Sequence, residues 1–403
     1  MQESPREHPE WLRRLAVARA DSVPWVERHI PLTGRTILEY GCGQGAITCA
    51  FAARAARHIG VDIDPGEVAL AQQAVARRGL SNVELRVWPV SEIVDRVREY
   101  RGEIDVLLLY AVLEHLTLEE RLAVLRLGRE IMRTDGHIVI TETPNRLTPV
   151  DHHTARIPFL HALPLSVAGA YYGRSPRADF VDAIDAAAAG GVEARDEALE
   201  RWGTGFSFHE LEMAFGDVAA HTVASSYDAA LYPSRPVRWE ELQLAAVLDA
   251  WRPDLPPCWS RSWVDTILSV EPVRSGDEPL HVRPWPLRLP HDVAGASMLP
   301  DGRIELRPGA RLPVGLPAPT SELHVGLMAS DPRRALRVEV GARTVTMDAV
   351  DNREGIPPWH GVVRLSEPAD RVTLTLPDGG CLTYVGFRGK ADPAAPMQRP
   401  MGW

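Results

Sequence analysis

The sequence predicts an α/β protein: a parallel sheet covered by helices on both faces, a helical lid inserted near its end, and a small antiparallel β-sandwich after it. Three observations carry this. Apolar runs alternate with helical stretches between residues 36 and 142. Three glycines, Gly41, Gly43 and Gly45, follow the first run at every second position. Beyond residue 295 the apolar period changes to two, with turn residues between the runs. Alternating strand and helix implies parallel pairing through crossover helices, whereas period two marks strands with one buried face.

The elements follow in order. Residues 37–40 read as the first strand and 46–56 as a helix starting directly after the glycines. A second strand (58–62) leads to a helix over 65–78, with Pro65 suited to its first turn and Asp64 to its N-cap. Strands follow at 83–87, 104–110 and 137–142, the last two separated by a helix over 118–133. Residues 145–205 contain an Ala-rich helical stretch (182–189) and a Gly190-Gly191 break. An insertion of that length at the strand ends reads as a substrate-shaping lid. A returning helix is expected over 209–215, with Ser207 as N-cap three residues before Glu210. A last core strand is expected over 263–273.

The chain has 403 residues, which suits two or three domains. The expected boundaries are a main domain over 1–273, a Pro- and Arg-rich linker over 274–294, a β-sandwich over 295–390 and a disordered tail over 391–403. The net charge of −10 speaks against a polyanionic partner. The four cysteines (Cys42, Cys49, Cys258, Cys381) form no CxxC pair, so neither a disulfide framework nor a zinc site is expected. The first residues are polar, and no apolar run reaches the length of about 18 residues that spans a bilayer. A soluble, cytoplasmic protein without membrane partner is the expectation.

The chemistry is read from four segments. Residues 36–45, Thr-Ile-Leu-Glu-Tyr-Gly-Cys-Gly-Gln-Gly, place an acid, Glu39, before the three glycines. Residues without Cβ let a backbone pass close against a ligand; a strand-to-helix turn without a ligand is the bland alternative. Asp62, ending the second strand, can accept hydrogen bonds from both ribose hydroxyls of a nucleoside. Residues 105–116 read Asp-Val-Leu-Leu-Leu-Tyr-Ala-Val-Leu-Glu-His-Leu, and residues 143–154 run from Thr-Pro-Asn-Arg to Asp-His-His-Thr.

Together these segments resemble the class I S-adenosylmethionine-dependent methyltransferases, over roughly residues 30–225. The glycine loop resembles their motif I. The 105–116 segment resembles that of small-molecule, quinone and glycan O-methyltransferases. The last segment is similar to methyltransferases of actinobacterial natural-product and glycan clusters. The resemblance implies a Rossmann-like sheet, S-adenosylmethionine as cofactor and S-adenosylhomocysteine as product. It implies that Glu39 and the loop of Gly41, Gly43 and Gly45 hold the methionine part. Asp62 would hold the ribose and Ile63 would pack on the adenine. Trp88 either stacks on that ring or forms an apolar wall, and Tyr110 completes the cofactor set. The adenine-side acid usual in the family is replaced by Pro89.

For catalysis the resemblance leaves a choice. His115 is either the base that takes the acceptor's proton or a helix cap. Asp151, His152 and His153 are either bases or ligands at the mouth of the site, or a polar loop whose histidines cap neighbouring helices. Some relatives bind a divalent metal through Glu-x-x-Glu-His. Here Ala111 replaces the first acid, so no metal is expected, although Glu114, His115 and His152 together could form a weak site. His209 either faces the acceptor or lies on a helix surface.

The expected activity is O-methylation of a hydroxyl or carboxyl on a small natural product, a sugar or a modified peptide. The sandwich domain either docks a glycan or peptide or mediates homodimerisation. Two alternatives stand beside this. A metal-dependent RNA ribose 2′-O-methyltransferase is supported by the Leu-Glu-His and Thr-Pro-Asn segments and opposed by the acidic balance. A non-catalytic cofactor-binding module is the other.

Overall fold

The computed structural model describes residues 8–226, 237–274, 281–285, 289, 293–299, 303–328, 336–346, 349–351 and 359–388. The expected disordered tail lies outside them. The chain divides into two compact units: residues 1–225 with 262–278, and residues 226–261 with 279–403.

The first unit opens with two helices that the sequence reading did not identify, α1 (Pro9–Val17) and α2 (Val23–His29), joined by a π-helical turn over Ala18–Ser22. The alternation then follows: β1 (Thr36–Tyr40), α3 (Ala46–Ala52), β2 (Arg57–Asp62), α4 (Pro65–Arg77), β3 (Val83–Val87), α5 (Val90–Val97), β4 (Ile104–Tyr110), α6 (Leu118–Ile131) and β5 (Met132–Pro144). All seven residues of β4 are buried, which is why it reads as an unbroken apolar run: both faces are covered. Asp64 caps α4, its carboxylate accepting from the amides of Gly66 and Glu67 at 2.6 and 3.2 Å.

Residues between β5 and the end of the sheet form α7 (Leu165–Tyr171), α8 (Ala178–Ala188), α9 (Val192–Gly203), α10 (Phe208–Phe215) and α11 (Val218–His221), then β6 (Thr222–Ser225) and β7 (Trp263–Ser269). The lid carries a core of its own, in which Phe180, Ile184 and Leu199 pack with Ile157 and Leu160. Ser207 caps α10 in a capping box with Glu210, as its spacing predicts. The sheet order is β3-β2-β1-β4-β5-β7-β6. The first five strands pair in parallel and β7 runs antiparallel to β5 and β6. The order reverses between β1 and β4, and ligands of such sheets bind at that switch, beyond the carboxyl ends of the strands.

The second unit holds α12 (Trp239–Trp251), β8 (Val282–Trp285), β9 (Ala296–Met298), β10 (Ile304–Leu306), β11 (Arg311–Met328), β12 (Arg337–Val340), β13 (Arg343–Thr346), β14 (Ala349–Asp351), β15 (Trp359–Thr375) and β16 (Gly380–Arg388). They form one antiparallel, nine-stranded sheet. β11 and β15 pair along almost their whole length, with register shifts between Gly315 and Glu322. Their first and second halves thus take different neighbours, and leucines and valines from both halves share one core. This fits the expected β-sandwich.

Two boundaries differ from the sequence reading. Residues 226–261, placed with the main domain, cluster with the second unit. The stretch read as a linker contains β8, whose Val282 pairs with Arg388 of β16. Its prolines hid it, because Pro284 interrupts the apolar pattern while being tolerated at a sheet edge.

Candidate functional site

The carboxyl ends of β1, β2 and β4 open into a cavity of about 860 Å³ in the first unit, lined by Glu39, Gly41–Ile47, Asp62, Tyr110–Val112 and His115, by Leu70, Gln73, Ala74 and Arg77 of α4, and by His8, Glu10, Trp11 and Arg14. Gly41, Gly43 and Gly45 all take positive φ, +81°, +46° and +78°. At Gly45 the packing is decisive as well: a Cβ there would lie 2.9 Å from that of Ala71 on α4. Only glycine lets the loop turn into α3 so close to its neighbour.

The acids around this loop are tied down. Asp62 accepts from the Gly43 amide at 2.8 Å and from the Asp64 amide at 3.1 Å. A carboxylate has about four acceptor sites, so it keeps capacity for hydroxyls in the cavity. Glu39 is 1% exposed. Its Oε2 accepts from the Thr48 hydroxyl at 2.5 Å and lies 2.9 Å from His58 Nε2. Beside it, burial pushes the Tyr40 phenol up to about 12 and raises the Cys42 thiol well above its ordinary value. Both are neutral, and Cys42 lines the cavity.

Of the expected cofactor residues, Glu39, Gly41, Gly43, Gly45, Asp62 and Tyr110 line the cavity. Ile63 and Trp88 are not among the lining residues. Ile63 is 56% exposed, and the Trp88 ring turns to Tyr100, centroids 6.4 Å apart.

The second half of the site gathers where β4 and β5 end. Leu113–His115 forms a single 3₁₀ turn, not the start of a helix. Glu114 is fully buried, and neither carboxylate oxygen has a hydrogen-bond partner among the described residues. Burial pushes its carboxyl up to about 8. His115 Nε2 lies 3.9 Å from Glu114 Oε1. Ligand atoms of Glu114, His115 and His153 all lie within 4.8 Å of one another.

Both histidines have a defined tautomer. His115 Nδ1 lies 2.8 Å from the Arg201 carbonyl; a carbonyl only accepts, so Nδ1 carries the proton and Nε2 the lone pair. His153 Nδ1 lies 3.0 Å from Thr154 Oγ1, whose own proton goes to the Gly203 carbonyl at 2.8 Å. His153 Nδ1 is therefore also the donor, leaving Nε2 its lone pair. Burial lowers the proton affinity of both rings, that of His153 to about 4, helped by the neighbouring His115. Both are neutral at pH 7.

The sequence paired His152 with Glu114 and His115; the structure puts His153 there instead. The cause is Asp151, 4% exposed, which accepts from the amides of His153, Thr154, Ala155 and Arg156. It wraps the loop so that His153 turns inward, against Trp263. Burial would raise the Asp151 carboxyl, but His161 and these amides outweigh it and hold it below its ordinary range. Asp151 is thus an anchor and not a base. His209 is exposed on α10 and stacked on Phe208, centroids 3.9 Å apart.

Three contributors escaped the sequence reading. Arg121, 2% exposed, donates to the carbonyls of Glu114, Leu116, Thr204 and Gly205 and pairs with Glu210. It locks the 3₁₀ turn to the returning lid. Asp265 of β7 accepts from the Thr141 hydroxyl at 2.6 Å and the Glu142 amide at 3.0 Å. It supports Glu142 at φ +56°, beside Ala111 at φ +49°; non-glycine residues in this region are strained and gather at functional sites. The third is α1, which borders the cavity. A glutamate three residues after Ser207 was a readable signal for Arg121's partner; the sequence held none for Asp265.

Residues 32–162 match the family model of a methyltransferase domain. Over 123 residues the chain is 25% identical to a ubiquinone biosynthesis O-methyltransferase of Acinetobacter baylyi, covering 30% of this chain and 49% of that protein. Over 124 residues it is 27% identical to one of Pseudomonas paraeruginosa, covering 31% and 50%. The chain thus spans about half the length of the curated relatives it matches. Among solved structures, it is 17% identical to PKMT2 from Rickettsia typhi, with a TM-score of 0.36, covering 65% of this chain and 52% of that one. A phosphoethanolamine N-methyltransferase of Haemonchus contortus, solved with phosphoethanolamine and S-adenosylhomocysteine, is 19% identical, with a TM-score of 0.29, covering 33% and 27%. No helix among the described residues is long and apolar enough to cross a membrane.

Proposed function

We propose that this protein transfers a methyl group from S-adenosylmethionine to an oxygen of a small natural product, a sugar or a modified peptide. The observation that carries the reading is the cavity at the β1–β4 switch, where left-handed glycines, Glu39 and Asp62 meet two histidine lone pairs a short way off. Glu39 takes the cofactor's ammonium group and Asp62 its ribose hydroxyls. The acceptor lies on the side of His115 and His153. The bound cofactor would supply its methyl group to the acceptor's oxygen, the carbon–sulfur electron pair staying on sulfur. The hydroxyl proton leaves to a neutral imidazole, His115 Nε2 being the better base because His153 is weakened by burial and also by the neighbouring His115, His161 and Arg177. Most of the acceleration comes from holding the two reactants in line.

A second reading is favoured by the unpartnered Glu114 carboxylate. Glu114, His115 and His153 fit a divalent cation in donor type, and the hydrogen bonds on both Nδ1 atoms orient the rings as outer partners of metal ligands do. Such an ion would supply Lewis acidity to the acceptor oxygen. With it comes the alternative acceptor, an RNA ribose hydroxyl.

The test uses cofactor carrying a labelled methyl group, purified protein and fractionated cell extract, with and without EDTA. Label in a small-molecule, glycan or peptide fraction that withstands EDTA upholds the first reading. Label in RNA that EDTA abolishes upholds the second, and no label in any fraction refutes both.

A further inference from the structure

Glu39 faces the cavity from β1, and two groups behind it hold it there. Among the described residues both of its hydrogen bonds fall on one oxygen, Oε2. The Thr48 hydroxyl donates to it at 2.5 Å from α3, and His58 Nε2 lies 2.9 Å away on β2. A carboxylate oxygen accepts, so His58 Nε2 is the donor. Oε1 is thereby left to a ligand in the cavity that Glu39 lines.

His58 itself does not reach that cavity. It is 0% exposed, as is Thr48, and neither is among the lining residues. Its other ring nitrogen, Nδ1, is buried without a hydrogen-bond partner among the described residues. A buried polar atom left unpaired lowers stability, and an apolar side chain in this strand, whose Ile59 and Val61 are fully buried, would carry no such atom. What the imidazole supplies in exchange is its one hydrogen bond, to Glu39. The parallel register sets His58 beside Ile37 and Gly60 beside Glu39. Residues 58 and 60 share a face of the strand, so the ring reaches the acid diagonally, past a residue with no side chain.

We propose that His58 is a positioning residue: together with Thr48 it fixes Glu39 by Oε2, so that Oε1 is presented to the cavity in one orientation. The inference rests on the cofactor reading above, in which Glu39 takes an ammonium group. Two donors from two different elements, α3 and β2, stop the carboxylate from turning. An acceptor already held in place loses less freedom when its ligand arrives. Asp62 ends the same strand but is held by the amides of Gly43 and Asp64. Recognition of ribose hydroxyls is therefore independent of His58.

The experiment titrates S-adenosylhomocysteine, which has the ammonium group, and 5′-methylthioadenosine, which lacks it, by calorimetry into wild type and variants. His58→Leu is expected to weaken S-adenosylhomocysteine about tenfold, the loss of one hydrogen bond to a charged acceptor, and to leave 5′-methylthioadenosine unchanged. His58→Gln, whose amide nitrogen can stand where the ring's Nε2 stands, should restore most of the affinity. Thr48→Val removes the other donor and should show the same selective loss. In a Glu39→Gln background His58→Leu should have no further effect, because His58 acts through that acid. Equal losses for both compounds, no loss for S-adenosylhomocysteine, or an undiminished loss in the Glu39→Gln background overturns the positioning role and leaves the cofactor reading intact. A Glu39→Gln variant that binds S-adenosylhomocysteine as wild type does, or a wild type that binds neither compound, overturns the reading of Glu39 as well.

Discussion

His115 Nδ1 and the carbonyl of Arg201 meet at 2.8 Å across 86 residues of chain. Arg201 lies on α9, in the lid, and its guanidinium also bonds Glu120 at 2.5 and 2.9 Å. The lid thus decides which nitrogen of His115 faces Glu114 and His153. Replacing His115 by Ala is expected to lower turnover about a hundredfold or more, with S-adenosylhomocysteine affinity intact. Asp62→Ala should do the reverse, weakening binding about ten- to hundredfold, since it also frees the Gly43 amide. Parallel kinetics and calorimetry on the two variants check the split.

Arg121 is the hub of the same region, and removing it weakens the support of a buried acid. Arg121→Met leaves Glu210, itself 3% exposed, with only the more exposed Arg146 at 3.7 Å as its cation. Breaking a buried pair in this way destabilises by about 3–5 kcal/mol. Denaturant titration of the variant is expected to show that loss, and the double change Arg121→Met with Glu210→Gln should recover part of it.

Gly203 closes the lid onto the second histidine. Its φ is +127°, and a Cβ there would fall 2.9 Å from Thr154 Oγ1 and 3.2 Å from His153 Nδ1. Gly203→Ala must displace the hydroxyl that orients His153. The expected outcome is reduced turnover with unchanged S-adenosylhomocysteine binding, because the cofactor end of the cavity does not depend on this contact.

Stability should depend on pH through Glu114. Its folded pKa is raised by burial to about 8 from an ordinary 4.5, so the folded state binds the proton more tightly than the unfolded state does. The contribution is fully present below about 4.5 and is lost as pH rises through about 8. Metal-free protein is therefore expected to lose stability between pH 5 and 9, and Glu114→Gln to flatten that slope. Denaturation midpoints measured across the range decide it; a wild type and variant with parallel profiles would refute the assignment.

Much of the half proposed to hold the cofactor was legible in the chain. Glu39, the glycines, Asp62 and Tyr110 sit at strand ends, where local pattern and loop chemistry alone place them. The acceptor half was legible in part. Glu114 and His115 stood out, but the choice between His152 and His153 turned on Asp151, whose four backbone contacts no spacing rule reveals. Arg121 and Asp265 looked like an ordinary helix residue and an ordinary strand residue. Their importance comes from partners 83 to 124 residues away.

The sequence by itself determined the alternation of strands and helices, the glycine loop and the acids beside it, because periodicity and φ preference act within a few residues. Tertiary structure alone decided that β8 and α12 belong with the second unit, that His153 turns toward Glu114, and that α1 brings Arg14 to the cavity. The first and last depend on contacts between segments far apart in the chain, and the second on the burial of Asp151, whose carboxylate wraps its own loop; burial and long-range pairing come into being only when the segments meet.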